Sequence, residues 1–400
     1  MEIIKKYPSY KDSGVEWIGQ IPEHWNLIKL KRSFKIMNGK EIRNEIDIND
    51  SEGINVFGSG GVFKKTNQFL YNGQSVLFGR KGTIGKPLYV DGKFWTVDTM
   101  YYTKFHKGMQ PKWFYYMFNV FPWDLYTTKT ALPSIVGTDI ENEFWAVPDL
   151  REQQEIVKLL DNKTTEIDLL ITDKEKLITL LEEKRQAIIS EAVTKGLNPD
   201  VKMKDSGVDW IGEIPEHWDL IKLKRCLKVM NGREIQSEVG VDDPGGVNVF
   251  GSGGVFKKTD NFLYNGQSVL FGRKGTIGKP IYVEGEFWTV DTMYFTKFYQ
   301  GMLPKWFYYM FNVFPWNLHV TKTALPSIVG TDIENEFWAV PHLNEQKQIV
   351  ELLESKTTKI SEIIIEIKQQ INNLKEYRQS LIYEAVTGKI DVREYNQVSS

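Results

Sequence analysis

Two stretches of this chain carry the residue types that phosphate chemistry uses. Leu77–Pro87 reads LFGRKGTIGKP, and the same string returns at Leu270–Pro280. Glycines let backbone amides approach a phosphate, and a lysine adds charge. A nucleotide phosphate loop needs four residues between its first glycine and a Gly-Lys-Ser/Thr. Here five residues separate Gly79 from Gly85, and Pro87 stands where the magnesium-binding hydroxyl belongs. The string FGSGG from Phe57 has the glycine content of a methyl-donor loop. It lacks the strand–loop–helix context, and no Asn/Asp-Pro-Pro-aromatic motif follows it. A nuclease carboxylate set can be forced from Pro148-Asp149 and Glu182-Glu183-Lys184. The equivalent positions later in the chain hold Pro341-His342 and Lys375-Glu376-Tyr377, so the set does not recur. His24 and His217, each inside IPEHW, have no second ligand at metal spacing, and capping or packing suits them better. The sequence offers no catalytic set and no metal set.

The recurrence itself organises the chain. KDSGVEWIGQIPEHW at Lys11 returns as KDSGVDWIGEIPEHW at Lys204, an offset of 193 residues. NVFGSGGVFKKT at Asn55 and TKTALPSIVGTDIENEFWAVP at Thr128 return at the same offset, so the copies differ by no net insertion. A period this long lets each unit hold its own core, unlike a solenoid repeat. Two such units in one chain act as a covalent homodimer, for which a two-fold arrangement is expected.

Each unit has two parts. Residues 1–150 and 196–343 are rich in glycine, aromatics and short β-type runs such as SVLFG and FWTVDTMYYTKF. PKWFYYMFNVF after Gln110 reads as a short buried helix that opens on proline. Residues 151–195 and 344–388 change character. From Arg151 to about Thr194, and from Asn344 to about Thr387, proline and glycine are absent. Ile156, Leu160, Ile167, Leu170, Leu177, Leu181 and Ile188 fall near heptad spacing, with Glu and Lys between them. A helix of this length would extend roughly 65 Å. Its apolar stripe is too narrow to fold alone, and its own copy is the natural partner. GLNPDVKM after the first helix reads as a stop and linker. The tail 389–400 is expected to fray. The fold expected is therefore α+β. Two similar α/β globules are separated by two long antiparallel helices, an intrachain coiled coil with pseudo-two-fold symmetry.

Composition bounds the function. The chain has 400 residues, a formal net charge of −2 at pH 7 and one cysteine, Cys226. Near-neutral charge argues against a chain that coats nucleic acid, while allowing local basic patches. One cysteine excludes intrachain disulfides and multi-cysteine zinc sites. No apolar run is long enough to span a bilayer, and the charged start MEIIKKYPSYKD is no signal peptide, so the expected location is the cytoplasm.

Basic and hydroxyl residues nevertheless cluster in turns of both copies. The first cluster holds Ser59, Lys64 and Lys65, the second Arg80, Lys81, Thr83 and Lys86, and the third Lys129, Thr130 and Ser134. The copies are Ser252, Lys257 and Lys258; Arg273, Lys274, Thr276 and Lys279; and Lys322, Thr323 and Ser327. Phosphate contact uses Lys, Arg, hydroxyls and bare amides, and base edges are read by Arg, Lys and hydroxyls. Any single loop of this kind could be a solvated β-turn. Three of them, kept in a second copy, point to DNA.

With those residues in view, a resemblance becomes specific. YKDSGVEWIGQIPEHW, LFGRKGTIGK, ALPSIVGTDIENEFWAVPDLREQQEIV and RQAIISEAVTKG resemble the specificity subunit of type I restriction–modification systems over nearly the whole chain. The resemblance implies that each globule is a target-recognition domain reading one half of a split site in double-stranded DNA. It implies that the long helices, which begin near PDLREQQEIV and PHLNEQKQIV, are spacers that dock two methyltransferase subunits. Restriction or translocase subunits would complete the complex. It implies no catalysis in this subunit, with S-adenosylmethionine, ATP and magnesium held by the partner subunits. One departure stands out: the two recognition domains usually differ in this family, and here they are nearly the same. The other readings are a tandem lectin-like or peptide-binding adhesin, which would need export, and a pure assembly scaffold.

Overall fold

A computed structural model describes residues 5–321 and 326–393. The chain forms two compact units. One runs to Lys174 and takes in residues from Gln369 onward; the other is Glu175–Lys368.

In the first unit, Ser75–Gly79 is the central element. All five residues are buried, so the strand reads as a continuous run rather than an alternation. It pairs antiparallel with Met100–Phe105 and Leu88–Val90, and Phe34–Asn38 closes the far side of Met100–Phe105. Leu77 packs in a cluster with Phe94, Met100 and Tyr102. Phe78 meets Phe118 and Trp123, with ring centroids 5.0 and 5.1 Å away. The short helix α1, Pro111–Asn119, begins on proline and buries Trp113, Phe114, Met117 and Phe118, as its sequence predicts. A second four-stranded sheet orders Gly61–Thr66, Ile54–Gly58, Lys93–Thr96 and Tyr71–Asn72. Helix α2, Gly137–Asn142, follows the third loop cluster.

The long helix α3 runs Leu150–Lys195, 46 residues. Asp149 caps it by accepting the amide of Glu152 at 2.9 Å. The second unit repeats each element, with α4 at Pro304–Val313, α5 at Gly330–Asn335 and the long α6 at Leu343–Val386. At the start of α6 the capping aspartate is replaced by His342, and only its carbonyl accepts from Glu345.

Within each unit the two long-helix segments run antiparallel. In the first unit, Arg378 donates twice to Asp168, at 2.9 and 3.2 Å, and Lys174 donates to Gln370 at 2.6 Å. In the second, Ile189, Ala192 and Val193 share one core cluster with Ile349, Val350 and Leu353. The seam is Leu160, Thr164, Ile167 and Ile171, then Lys174, Ile178 and Leu181, alternating steps of four and three. Leu170 and Leu177, expected in the stripe, stand outside it, 49% and 45% exposed. The stripe passes instead through Thr164, whose hydroxyl donates to the Leu160 carbonyl at 2.6 Å, and Lys174, whose stem can cover apolar surface; an apolar count skips both.

Gly388, at φ 71°, ends α6 in a Schellman turn: Lys389 donates to the Glu384 carbonyl at 2.7 Å. The tail expected to fray is folded as far as Arg393, with Ile390 and Val392 buried; residues 394–400 lie outside the described part. Asp391 donates its amide to the Lys5 carbonyl at 2.8 Å, and Tyr10 donates to the Lys389 carbonyl at 3.3 Å. The first unit is thus closed by noncovalent contact between the two ends of the chain.

Candidate nucleic-acid interface

The glycines of Leu77–Pro87 shape a loop rather than hold a nucleotide. A Cβ on Gly79 would lie 2.0 Å from the Thr83 carbonyl oxygen, so the loop can fold back only over a bare backbone. Gly82 and Gly85 sit at φ 80° and 77°, and Gly85 rests on Trp123. The result is a tight loop with Lys81, Thr83 and Lys86 on its exposed side.

Three segments distant in sequence meet there. Arg80 is fixed through its backbone: its amide donates to Thr99 at 2.8 Å, and its carbonyl accepts from Ile135 at 3.0 Å. Its guanidinium lies over the Tyr101 ring, 5.7 Å from the centroid, and reaches the Asp98 carbonyl at 3.4 Å. Gly82 donates to the Pro133 carbonyl at 3.0 Å, and Lys81 bridges to Ser134. Ser134 in turn closes the third cluster, its hydroxyl 3.1 Å from that of Thr128, while Thr130 donates to the Leu132 carbonyl at 2.8 Å. Ser59, in the turn of the hairpin Ile54–Thr66, places its hydroxyl 3.8 Å from where a Cβ on Gly82 would be. The second unit repeats this: Arg273 donates to Thr292 at 2.8 Å, Lys274 bridges to Ser327, and Gly275 donates to Pro326 at 3.4 Å. There, Ser252 lies 3.3 Å from where a Cβ on Gly275 would be. Lys322 and Thr323 lie outside the described residues.

The cations divide by what they already hold. Lys64 pairs with Glu45 at 2.6 Å, and Lys65 donates to the Asp50 carbonyl at 2.5 Å; both brace the segment 45–50. Lys257 and Lys258 do the same with Glu238 and Asp243. Among the described residues, Lys81, Lys86, Lys129, Lys274 and Lys279 pair with no carboxylate. The cluster therefore presents free positive charge, hydroxyls and loop amides on one rim, the set that phosphate and base edges require. Thr99, Tyr101 and Pro133, which brace it, carry no local signal in the sequence because the contacts span tens of residues.

Each of the two IPEHW histidines meets a carboxylate in the first turn of a long helix. His24 meets Glu152 at 2.8 Å, whose other oxygen accepts from Tyr7 at 2.6 Å. Burial, then the hydrogen bond to Glu152, raise the Tyr7 hydroxyl far above its ordinary pKa. His217 meets Glu345 at 2.9 Å. Burial pushes the Cys226 thiol up to about 12, leaving it inert. Among the described residues, no group of three or more His, Cys, Asp or Glu is placed to hold a metal, and no helix is long and apolar enough to cross a membrane.

Comparison with known proteins decides the lineage. The family model for the type I restriction modification DNA specificity domain matches twice, at residues 22–179 and 215–373. The chain belongs to that family. It is 26% identical over 422 residues to the type I restriction enzyme MjaVIII specificity subunit of Methanocaldococcus jannaschii, covering 94% of this chain and 95% of that protein. A chain from a structure of an assembled type I restriction–modification system superimposes with a TM-score of 0.67 at 14% identity, covering 92% of this chain and 99% of that one. The HsdS subunit from Thermoanaerobacter tengcongensis gives 0.52 at 15% identity, over 92% and 98%. These specificity subunits share the fold of two sheet-rich domains and two long helices. This chain is a specificity subunit of type I restriction–modification, which places it with DNA and with methyltransferase and restriction subunits. The export-dependent adhesin is not favoured.

Proposed function

We propose that each unit reads one half of a split DNA site through the rim built by Arg80, Lys81, Thr83, Lys86, Lys129, Thr130, Ser134 and Ser59. Arg273, Lys274, Thr276, Lys279, Lys322, Thr323, Ser327 and Ser252 do so in the second unit. The observation that carries this is the convergence of three separate loops on unpaired lysines, repeated in the second copy. Arg80, held over Tyr101, is the base reader, because a guanidinium fixed in place can present its fork to a guanine edge. Lys81, Lys86 and Lys129 meet phosphates. Lys64 and Lys65, with Lys257 and Lys258, contribute field rather than contact, since their ammonium groups are engaged locally.

The long helices carry the assembly. In the first unit α3 leaves Leu169 and Leu170 exposed; in the second, Leu177, Leu180, Ile363 and Ile365 are exposed. Such side chains on helices that already have a seam suit docking of two methyltransferase subunits. Catalysis, with S-adenosylmethionine, ATP and magnesium, belongs to the partners. The test is methylome sequencing of cells carrying the system with wild-type chain or with Arg80→Ala and Arg273→Ala. The reading expects a discrete split motif that relaxes at one position per half in the variant. An unchanged motif would sink it.

A further inference from the structure

The hairpin beside the basic rim exposes apolar side chains that its own sheet could have hidden. In Ile54–Thr66, Phe57 pairs with Val62 but Val56 pairs with Lys64, so Phe63 is the extra residue of a β-bulge. A regular strand alternates its side chains between two faces, whereas the bulge re-aims one of them. Here Val62 and Phe63 are consecutive and both exposed, at 45% and 44%. The second copy keeps the bulge: Phe250 pairs with Val255, Val249 with Lys257, and Val255 and Phe256 are each 51% exposed. A shortage of core is not the reason, since Phe34, Phe78, Phe94, Phe114 and Phe118 are fully buried in the same unit.

Gly61–Thr66 is an edge strand, and a bulge there also discourages edge-to-edge pairing. That purpose is served better by charge and gives no reason for a phenylalanine. The ring is also held in place. It lies against bare Gly58, 3.1 Å from where a Cβ would be, and Phe256 lies against Gly251 in the same way. Four residues before Phe63, the hairpin turn approaches the Arg80–Pro87 loop: the Ser59 hydroxyl lies 3.8 Å from where a Cβ on Gly82 would be.

We propose that Phe63 and Phe256 are specificity residues that make apolar contact with the methyl group of a thymine in each half-site. The inference rests on the reading of the rim as the DNA-contacting surface and adds to it the base feature recognised. Apolar side chains distinguish thymine in the major groove by its C5-methyl, a feature the cations of the rim cannot read. A fixed aromatic ring on the hairpin whose turn approaches the rim would supply it.

The experiment uses the full chain with its methyltransferase partners and duplexes bearing the motif mapped by methylome sequencing. Each thymine is replaced in turn by deoxyuridine, which lacks only the methyl. Wild type is expected to lose about four-fold in affinity at one thymine per half, the effect of burying one methyl group. Phe63→Ala with Phe256→Ala should bind the unmodified duplex more weakly and be indifferent to that replacement. Wild type indifferent to every replacement, or a motif whose halves contain no A·T pair, would overturn the inference without any variant being made. Lys81→Ala with Lys274→Ala separates the two levels. If the lysine variant weakens binding and the phenylalanine variant does not, only this inference fails. If neither does, the reading of the rim fails with it.

Discussion

At the scale of single residues, the same loop contains two kinds of dependence. Lys81 is an unpaired cation on the rim, so Lys81→Ala with Lys274→Ala should weaken binding to all sequences alike. Loss of one phosphate contact per half should flatten the slope of log affinity against log salt by about 1 for each lysine. A salt titration of the complex on specific and random duplexes checks it; selective loss on the specific duplex would instead make Lys81 a base reader. Gly79 acts through shape. Gly79→Ala puts a methyl group into the Thr83 carbonyl, and neither backbone can yield without moving the loop. The expected cost is about 1–3 kcal/mol, the range for overpacking a tight site. Gly60→Ala, where nothing lies within 4 Å, is the control and should leave the melting temperature unchanged. Much of this site was legible in the sequence, because Gly, Lys and hydroxyls repeat at fixed positions in both copies. Which lysines are free was not. Lys64 and Lys81 look alike in the chain, and only the fold shows that Glu45 occupies the first.

Elements show the same division. The long helices could be read from the absence of proline and glycine and from their apolar spacing. Their seam was misplaced at Leu170 and Leu177, because a stripe that uses Thr164 and Lys174 is invisible to an apolar count. Two roles thus divide along one helix. Ile171 is buried, flanked in the same unit by the Asp168–Arg378 and Lys174–Gln370 contacts. Ile171→Asp should place an unpaired charge in the seam and cost several kcal/mol, read as a lower melting temperature of the isolated chain. Leu177→Asp should leave that temperature within the range of surface changes yet reduce recovery of methyltransferase subunits in a pull-down. Equal melting for both variants would refute the assigned seam. The start of α6 offers a gain. His342 stands where α3 has its capping Asp149, so His342→Asp should add about 0.5–2 kcal/mol by offering the Glu345 amide, which bonds only the His342 carbonyl, a carboxylate acceptor. Denaturant unfolding of the second unit's transition checks it, and no shift would mean the His342 carbonyl already serves that amide as well as a carboxylate does.

For the whole molecule, the duplication sets the form of the target. The rim residues of the two copies match without a gap, from Ser59 and Ser252 to Ser134 and Ser327. Equal readers prefer equal half-sites, and the two-fold arrangement expected of a duplicated chain would present them to opposite strands of a duplex. The site should therefore be an interrupted palindrome, as for symmetric dimers on operators, with half-site centres about 34 Å apart, one turn of DNA. The same expectation includes an unread gap of one length in every methylated site. The copies do differ near the rim. RNEIDINDSEG from Arg43 faces QSEVGVDDPGG from Gln236, and Tyr126-Thr127 faces His319-Val320. The first pair lies in the segment that Lys64 and Lys65 brace, so its divergence should leave the halves alike. The second follows the Trp123 and Trp316 turns, under the glycines of the reading loop, and could alter one position in one half. Methylome sequencing decides: inverted halves, equal or differing at a single position, fit equal readers. Two unrelated halves would mean that the bases are read by the divergent segments rather than by the shared rim.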